Sequence, residues 1–477
     1  MQTPKIMPNT IKDMDDIAIV GIGCRFAAIP DVAALWEQTM ACQSAFSDHP
    51  DPAATQFTDP DSQRFDRLPT TRGAYLHNLY SVDPDLPILA SDDVTAESTD
   101  ELFLTQIVAD SLRDAGFTLR SASLGHVSLS VGYSPPFTPA TLSWLLQAPL
   151  SAQIATLLQR FFPSESERNR NALQQHLQHS LPPVPKLLLR HAHHHAFAAH
   201  IANRFGFMGP AIVVNAGAVW AMAAIRSAAD DLRLHRCDLA LAAALQSPLP
   251  LAQLFGLAQL HEFTSKSAPT PFGRDASGTL PGEGGGVLAL RRRRDAERNG
   301  ERIYAVIKDV AITSSDGTAR EPDTAAIISS AIATVFRNTA LLPETCAYLE
   351  THGTGIAATD DAELSALQSL FTTPSEYRPR LALGASKALS GHCFAAAGML
   401  GVCKAACALN YKIIPPTVVA SPLHQALAAS DAPFFLPAEP RPWINSRVLA
   451  PRRAAVNAWD VEGLGACCLL EEHPEAL

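Results

Sequence analysis

The chain has 477 residues, 47% of them apolar, a formal net charge of −10 and nine cysteines. That apolar content is ordinary for a globular protein and too high for a disordered one, while the acidic balance argues against general affinity for nucleic acid or anionic lipid, which need a basic face. Nine cysteines are too sparse for a disulfide scaffold, and no CxxC pair or Cys/His spacing reads as a zinc site, so no metal is expected and reduced cytoplasmic thiols are the default.

Residues 1–15 read as a loose, flexible tail with no secretory leader pattern. Asp16 to Cys24 (DIAIVGIGC) reads as a buried strand entering a glycine turn. Ser98-Thr99-Asp100-Glu101 is a capping-box pattern, and Phe103, Ile107, Ser111 and Ala115 follow at helical spacing before Gly116. His126 to Gly132 alternates as a strand does. An irregular insertion occupies about 134–190, with helical stretches at Ser151 to Phe161 and Glu165 to His179 between proline clusters. Strand Ala211–Val214 then enters a turn at Asn215–Ala218, an alanine-rich helix runs to His235, and strand Asp238–Ala244 follows. The apolar run 212–225 has 14 residues and contains Asn215, too short to span a bilayer, so no membrane segment is expected. Ile303 to Asp309 opens a second half of alternating helices and strands. Two halves with similar opening strands, divided as 16–265 and 266–477, suggest a duplicated α/β unit.

Four segments carry candidate chemistry. Val213-Val214-Asn215-Ala216-Gly217-Ala218 runs from a strand through a tight turn into a helix, presenting one side chain at a helix N-terminus where a thiolate or oxyanion is favoured. Glu350-Thr351-His352-Gly353-Thr354-Gly355 follows a short buried strand, Ala347–Leu349, and exposes His352 above the sheet end. Ser386-Lys387-Ala388-Leu389-Ser390-Gly391-His392 presents a lysine and a second histidine before a small-residue helix, Ala395 to Leu409. Pro281-Gly282-Glu283-Gly284-Gly285-Gly286 reads as a turn with close backbone packing, its Glu283 holding backbone. Taken singly, each also fits a loop that only turns the chain.

In this order the segments resemble the β-ketoacyl synthases of fatty-acid and polyketide assembly, from about residue 14 to 473. IAIVGIGCRF (17–26), PFGRDASGTLPGEGGGVLAL (271–290), ETHGTG (350–355), SKALSGHCFAAAGMLG (386–401), IIPPT (413–417) and AAVNAW (454–459) carry the likeness. Residues 201–217, after LPP at 181–183 and the long insertion, look most like the polyunsaturated-fatty-acid and enediyne-type branch. The resemblance implies a thiolase-like α/β fold of duplicated αβαβα layers, and a homodimer or a heterodimer with a ketosynthase. It implies no cofactor of the protein's own, the substrate arriving on the phosphopantetheine arm of an acyl carrier protein. It places the decarboxylating histidines at His352 and His392, the supporting lysine at Lys387, an arm-binding threonine at Thr354, and the acyl-accepting cysteine at Ala218.

Ala218 has no nucleophile, so ping-pong elongation through a thioester is excluded as an ordinary mechanism. Cys237 and Cys393 fall off the elbow. Val219, Trp220 and Met222 replace small polar residues, Ile356 replaces a second arm-binding threonine, and the loop Trp459-Asp460-Val461-Glu462-Gly463 has lost a glycine and gained two acids. Negative charge there opposes an oxyanion, unless the acids face solvent. Three readings stay open: decarboxylation of malonyl-carrier protein by His352 and His392, a non-catalytic subunit that shapes an active ketosynthase's tunnel, and recruitment of the pocket for another acyl reaction. His191 and His195 have i, i+4 spacing, open to a metal or to solvated histidines. Arg291 to Arg294 read as a solvated face or a carrier-docking patch.

Overall fold

The computed structural model describes residues 16–60, 64–77, 86, 99–119, 125–133, 153–180, 194–315, 323–371, 380–444 and 451–474. The expected tail, the side chains of the His191–His195 cluster and much of the 134–190 insertion lie outside the described residues. Within the insertion, helices cover 153–161 and Glu167–Ser180.

Among the described residues the main sheet has eleven strands, ten of them labelled β1 (Ile17–Phe26), β2 (Val127–Gly132), β3 (Ala211–Val214), β4 (Leu239–Gln246), β5 (Gly284–Arg292), β6 (Ala305–Ser314), β7 (Tyr348–Glu350), β8 (Leu381–Gly384), β9 (Arg453–Trp459) and β10 (Leu464–Glu471). They lie in the order β8-β7-β9-β10-β6-β1-β5-β4-β2-β3, with short strand Phe434–Phe435 outside β8. The first five strands run third, second, fourth, fifth, first; the second five repeat that order. Directions repeat too: β2 is parallel to β3 and β4, as β7 is to β8 and β9. β5 is antiparallel to β1 and β4, as β10 is to β6 and β9. One topology laid down twice is the physical content of the duplication read from the sequence. The first set closes only with β5, so its strands end at Arg292, past the expected 265/266 division.

Six helices complete the layers: α1 (Thr99–Asp114), α2 (His194–Phe205), α3 (Trp220–Arg233), α4 (Thr324–Thr339), α5 (Ala357–Leu370) and α6 (Ala397–Tyr411). Three apolar clusters define the stacking. Leu104, Ile107 and Ile201 of α1 and α2 cover one face of the first strand set. Ile328, Ile332, Leu364 and Leu367 of α4 and α5 cover the outer face of the second. Between the sets, α3 and α6 pack with Ala242, Ile307 and Val456 in a third cluster. The result is αβαβα. The central helices are rich in alanine and other small residues, which let the two strand sets of the sheet close on them at interior packing density. Helical residues Phe394–Tyr411 are long and apolar enough to cross a membrane by length and composition, and 83% buried between these strand sets.

Two expectations are corrected by packing. β1 runs straight through Gly21 and Gly23 instead of turning, because α1 crosses it so closely that a Cβ on Gly23 would stand 2.3 Å from the Ile107 carbonyl oxygen. Gly284, Gly285 and Gly286 likewise belong to β5, paired with Phe26, Arg25 and Cys24, rather than to a turn.

Candidate active site

The duplicated topology brings strand ends from both halves to one place. The elbow after β3 forms a short turn, Gly217–Val219, leading into α3, and it packs against the turn Phe394–Ala396 before α6 and against β9 and β10. His352 follows β7, Lys387 and His392 follow β8, and Trp459 ends β9.

His352 and His392 are buried, their rings 5.2 Å apart, edge to face at 82°. Trp459 lies 4.7 Å from His352, and Phe394 stacks on His392 at 4.5 Å. The Phe394 amide donates to His392 Nδ1 at 3.0 Å, so the neutral ring carries its proton on Nε2 and offers that N–H as a donor. Among the described residues the ring nitrogens of His352 make no hydrogen bond. Burial, followed by the Lys387 cation, holds both imidazoles well below their usual protonation range, so both are neutral at neutral pH.

Lys387 is buried and donates to the His352 carbonyl oxygen. Burial brings its ammonium down to about 8, with Glu363 and Glu350 opposing. The backbone of the histidine loop is fixed by Glu363, which accepts from the amides of His352 and Gly353 at 2.8 Å each and from Asn457 Nδ2 at 2.7 Å. On the other side of the lysine, Glu350 pairs with Lys404 at 2.9 Å and accepts from the Ser386 amide at 2.8 Å. Backbone hydrogen bonds between Gly282 and His392 (2.9 Å) and between His392 and Leu280 (2.7 Å) tie the second histidine to the glycine-rich segment. Glu283 there accepts from the amides of Leu249 at 2.7 Å and Leu76 at 2.8 Å, a backbone-holding contact.

Ala218 occupies the elbow, half-buried and without a nucleophile. Cys393 is fully buried, donates to the Ser390 carbonyl and is pushed up to about 12 by burial; Cys237 is buried against Ser128. A buried, neutral thiol does not substitute for an elbow nucleophile. Thr354 is buried in the loop before α5. Its hydroxyl contacts Thr359 Oγ1 (2.5 Å) and Asp360 Oδ1 (3.3 Å) and accepts from the Ile356 amide (3.0 Å). The Thr359 hydroxyl gives its own proton to the Ile356 carbonyl at 3.0 Å, so the Thr354 proton is spent within the loop while one of its two lone pairs stays unengaged.

The two acids of the altered loop part company. Glu462 is exposed, whereas Asp460 turns inward. Its Oδ1 accepts from the amides of Glu462 and Leu464 at 3.0 Å each, and Oδ2 is buried against Gly217 with the Ala218 amide turned toward the carboxyl. Burial raises this carboxyl above the ordinary aspartate range.

Sequence reasoning missed four contributors. His261 has its ring 5.6 Å from His392 and is brought down to about 4 by burial; alone at the end of an apolar helix, it carried no motif. Glu363 and Asp360 were legible: with Leu364 and Leu367 they fall at i, i+3, i+4 and i+7 on the buried stripe of α5, where carboxylates require partners. Asn457, in the recognised AAVNAW segment, shares Glu363.

The arginine run is not a free basic patch. Arg291 pairs with Glu301 (3.0 Å), Arg292 with Asp238 (2.6 Å) and Asp295 (2.5 Å), and Arg293 with Glu297 (2.7 Å). It also lies at the end of β5 opposite Gly284, ~26 Å along the strand from the glycine-rich segment that contacts His392.

A five-layered fold of two like halves is the thiolase-like fold of ketosynthases. The N-terminal domain of β-ketoacyl synthases matches residues 14–296 and the C-terminal domain matches 304–421, so the chain belongs to the β-ketoacyl synthase family. A phenolphthiocerol/phthiocerol polyketide synthase polypeptide of Mycobacterium tuberculosis is 27% identical over 467 residues, covering 97% of this chain and 28% of that protein. Polyketide synthase PksL of Bacillus subtilis is 24% identical over 482 residues, covering 97% of this chain and 10% of that protein. The chain thus spans under a third of the length of these curated relatives. Among solved structures, an oxazolomycin ketosynthase domain from Streptomyces albus superposes with a TM-score of 0.79 at 24% identity, covering 97% of this chain and 76% of that one. The ketosynthase from module 1 of the bacillaene synthase of Bacillus amyloliquefaciens gives 0.73 at 22% identity, covering 97% and 77%.

Proposed function

We propose that the protein decarboxylates a malonyl thioester carried on the phosphopantetheine arm of an acyl carrier protein, yielding an acetyl group for polyketide or fatty-acid assembly in the cytoplasm. The observation that carries this reading is the neutral His352–His392 pair beside an elbow whose residue is Ala218. As the carboxylate leaves as CO₂, its bonding electrons pass to the α carbon and the thioester oxygen. The His392 Nε2–H and a ring N–H of His352 would donate to that oxygen, and neutral donors in a buried site are worth more than in water. Lys387 acts through the His352 carbonyl as a positioning residue. With no thiol at the elbow there is no acyl partner for the carbanion, so condensation does not follow.

The test is malonyl-loaded carrier protein followed by mass spectrometry of the acyl-pantetheine. Conversion to acetyl, lost in His352→Ala/His392→Ala, supports the reading; malonyl intact over hours, or conversion that persists in the double variant, overturns it.

A second reading is a non-catalytic subunit paired with an active ketosynthase. It is favoured by β3, an edge strand whose Ile212 is 41% exposed, an edge suited to pairing with a second copy or with a ketosynthase. Co-purification with a ketosynthase from the same pathway, without decarboxylation, supports it. A stable homodimer that never captures such a partner counts against it.

A further inference from the structure

Decarboxylation leaves a carbon that needs a proton. In an elongating synthase the carbon meets an acyl group at the elbow, so what stands over the elbow here decides the product. The group standing there is the Asp460 carboxyl. Its Oδ2 is buried, the Ala218 amide is turned toward the carboxyl, and Oδ2 lies so close over Gly217 that a Cβ on that residue would stand 1.9 Å away. Oδ1 is locked by the amides of Glu462 and Leu464, the turn is closed by the Asp460 amide donating to the Leu464 carbonyl at 2.9 Å, and the Ser315 amide pins the loop through the Gly463 carbonyl at 2.9 Å. The preceding residue, Trp459, is the one against His352.

We propose that Asp460 is the acid that protonates the α carbon after CO₂ leaves, so that the elbow delivers a proton where its relatives offer an acyl group. This rests on the decarboxylase reading. The C–C bond breaks and its electron pair stays with the α carbon and thioester oxygen; CO₂ departs. The Asp460 Oδ2–H bond breaks and its proton forms the new C–H bond of the acetyl group. Oδ2 itself is closed to solvent, but Asp460 adjoins exposed Val461 and Glu462, so water reaching the elbow as the acetyl product leaves restores its proton, and one proton is consumed per CO₂. Burial raises the carboxyl and the Glu462 charge adds to this, while the amides of Leu464, Glu462 and Ala218 oppose it; the elbow turn Gly217–Val219 carries no ionisable side chain.

The experiment compares wild type, Asp460→Asn and His352→Ala/His392→Ala on malonyl-loaded carrier protein from pH 5 to 7, below the range in which Lys387 loses its proton, with CO₂ and acetyl-pantetheine followed separately. The Asn side chain keeps an oxygen for the two turn amides, so the loop is retained, and circular dichroism checks the fold. Acetyl formation should fall as pH rises in the wild type, and Asp460→Asn should be about 100-fold slower and lose that fall. An unchanged rate and profile in Asp460→Asn, or a wild-type rate flat across the range, overturns the proton-donor assignment and leaves the decarboxylase reading standing. No CO₂ from wild type overturns both.

Discussion

The Asp460 carboxyl lies directly over Gly217, whose φ is +56°, so the glycine is required twice, by its backbone angle and by the carboxyl above it. We expect Gly217→Ala to cost more than the ~1–2 kcal/mol of left-handed strain alone, and the excess to vanish in a Gly217→Ala/Asp460→Gly double variant. Equilibrium denaturation of the four proteins measures the coupling; strict additivity would mean the carboxyl does not occupy that place.

The same carboxyl sets the fate of a restored nucleophile. A thiolate in Ala218→Cys would form beside Asp460, and like charge disfavours it, so its alkylation profile should lie ~1–2 pH units higher than in Ala218→Cys/Asp460→Gly. The pH dependence of iodoacetamide labelling reads this directly. Equal profiles would remove Asp460 from the elbow's electrostatics.

Because His352 and His392 are held well below their usual range, they stay neutral as pH drops from 7.5 to 6. Decarboxylation should therefore show no loss of rate over that interval, whereas a free histidine with a pKa of about 6.5 would be more than half protonated by its lower end. A rate that falls with a midpoint near 6.5 would show that an exposed imidazole does the chemistry.

Glu363→Ala should destabilise the protein by about 3–5 kcal/mol, since it strands three buried donors, the His352 and Gly353 amides and Asn457 Nδ2. Denaturant unfolding measures it. A loss below ~1 kcal/mol would mean those donors find other partners.

Lys387→Met keeps the length of the side chain and removes the donor to the His352 carbonyl and the cation that helps keep both histidines neutral. Decarboxylation should fall about tenfold or more through misplaced donors, with the protonation of His352 and His392, followed by NMR, moving upward. An upward shift follows because the removed cation opposed the imidazolium. Unmoved histidine titration would make the lysine structural only.

The linear pattern settled a good deal. Apolar runs with β-rich composition marked β1, β2, β3 and β4 to within two residues, and the histidine, lysine and elbow segments were locatable because each is a short contiguous signature after a strand. That Ala218 carries no nucleophilic group is likewise visible in one letter. Contacts between distant segments were not visible. Gly23 looked like a turn because its reason, the α1 backbone crossing β1, lies some 84 residues downstream at Ile107. The ties of Thr354 within its loop were not visible either, because the sequence does not say which way a hydroxyl turns, and Thr359 and Asp360, five and six residues on, share its proton. His261 reached the site only through folding. The two acids of the 459–463 loop, equal in the sequence, were separated by the turn that buries Asp460 over Gly217 and leaves Glu462 in water, because a carboxyl's role depends on the amides and solvent around it rather than on its place in the chain.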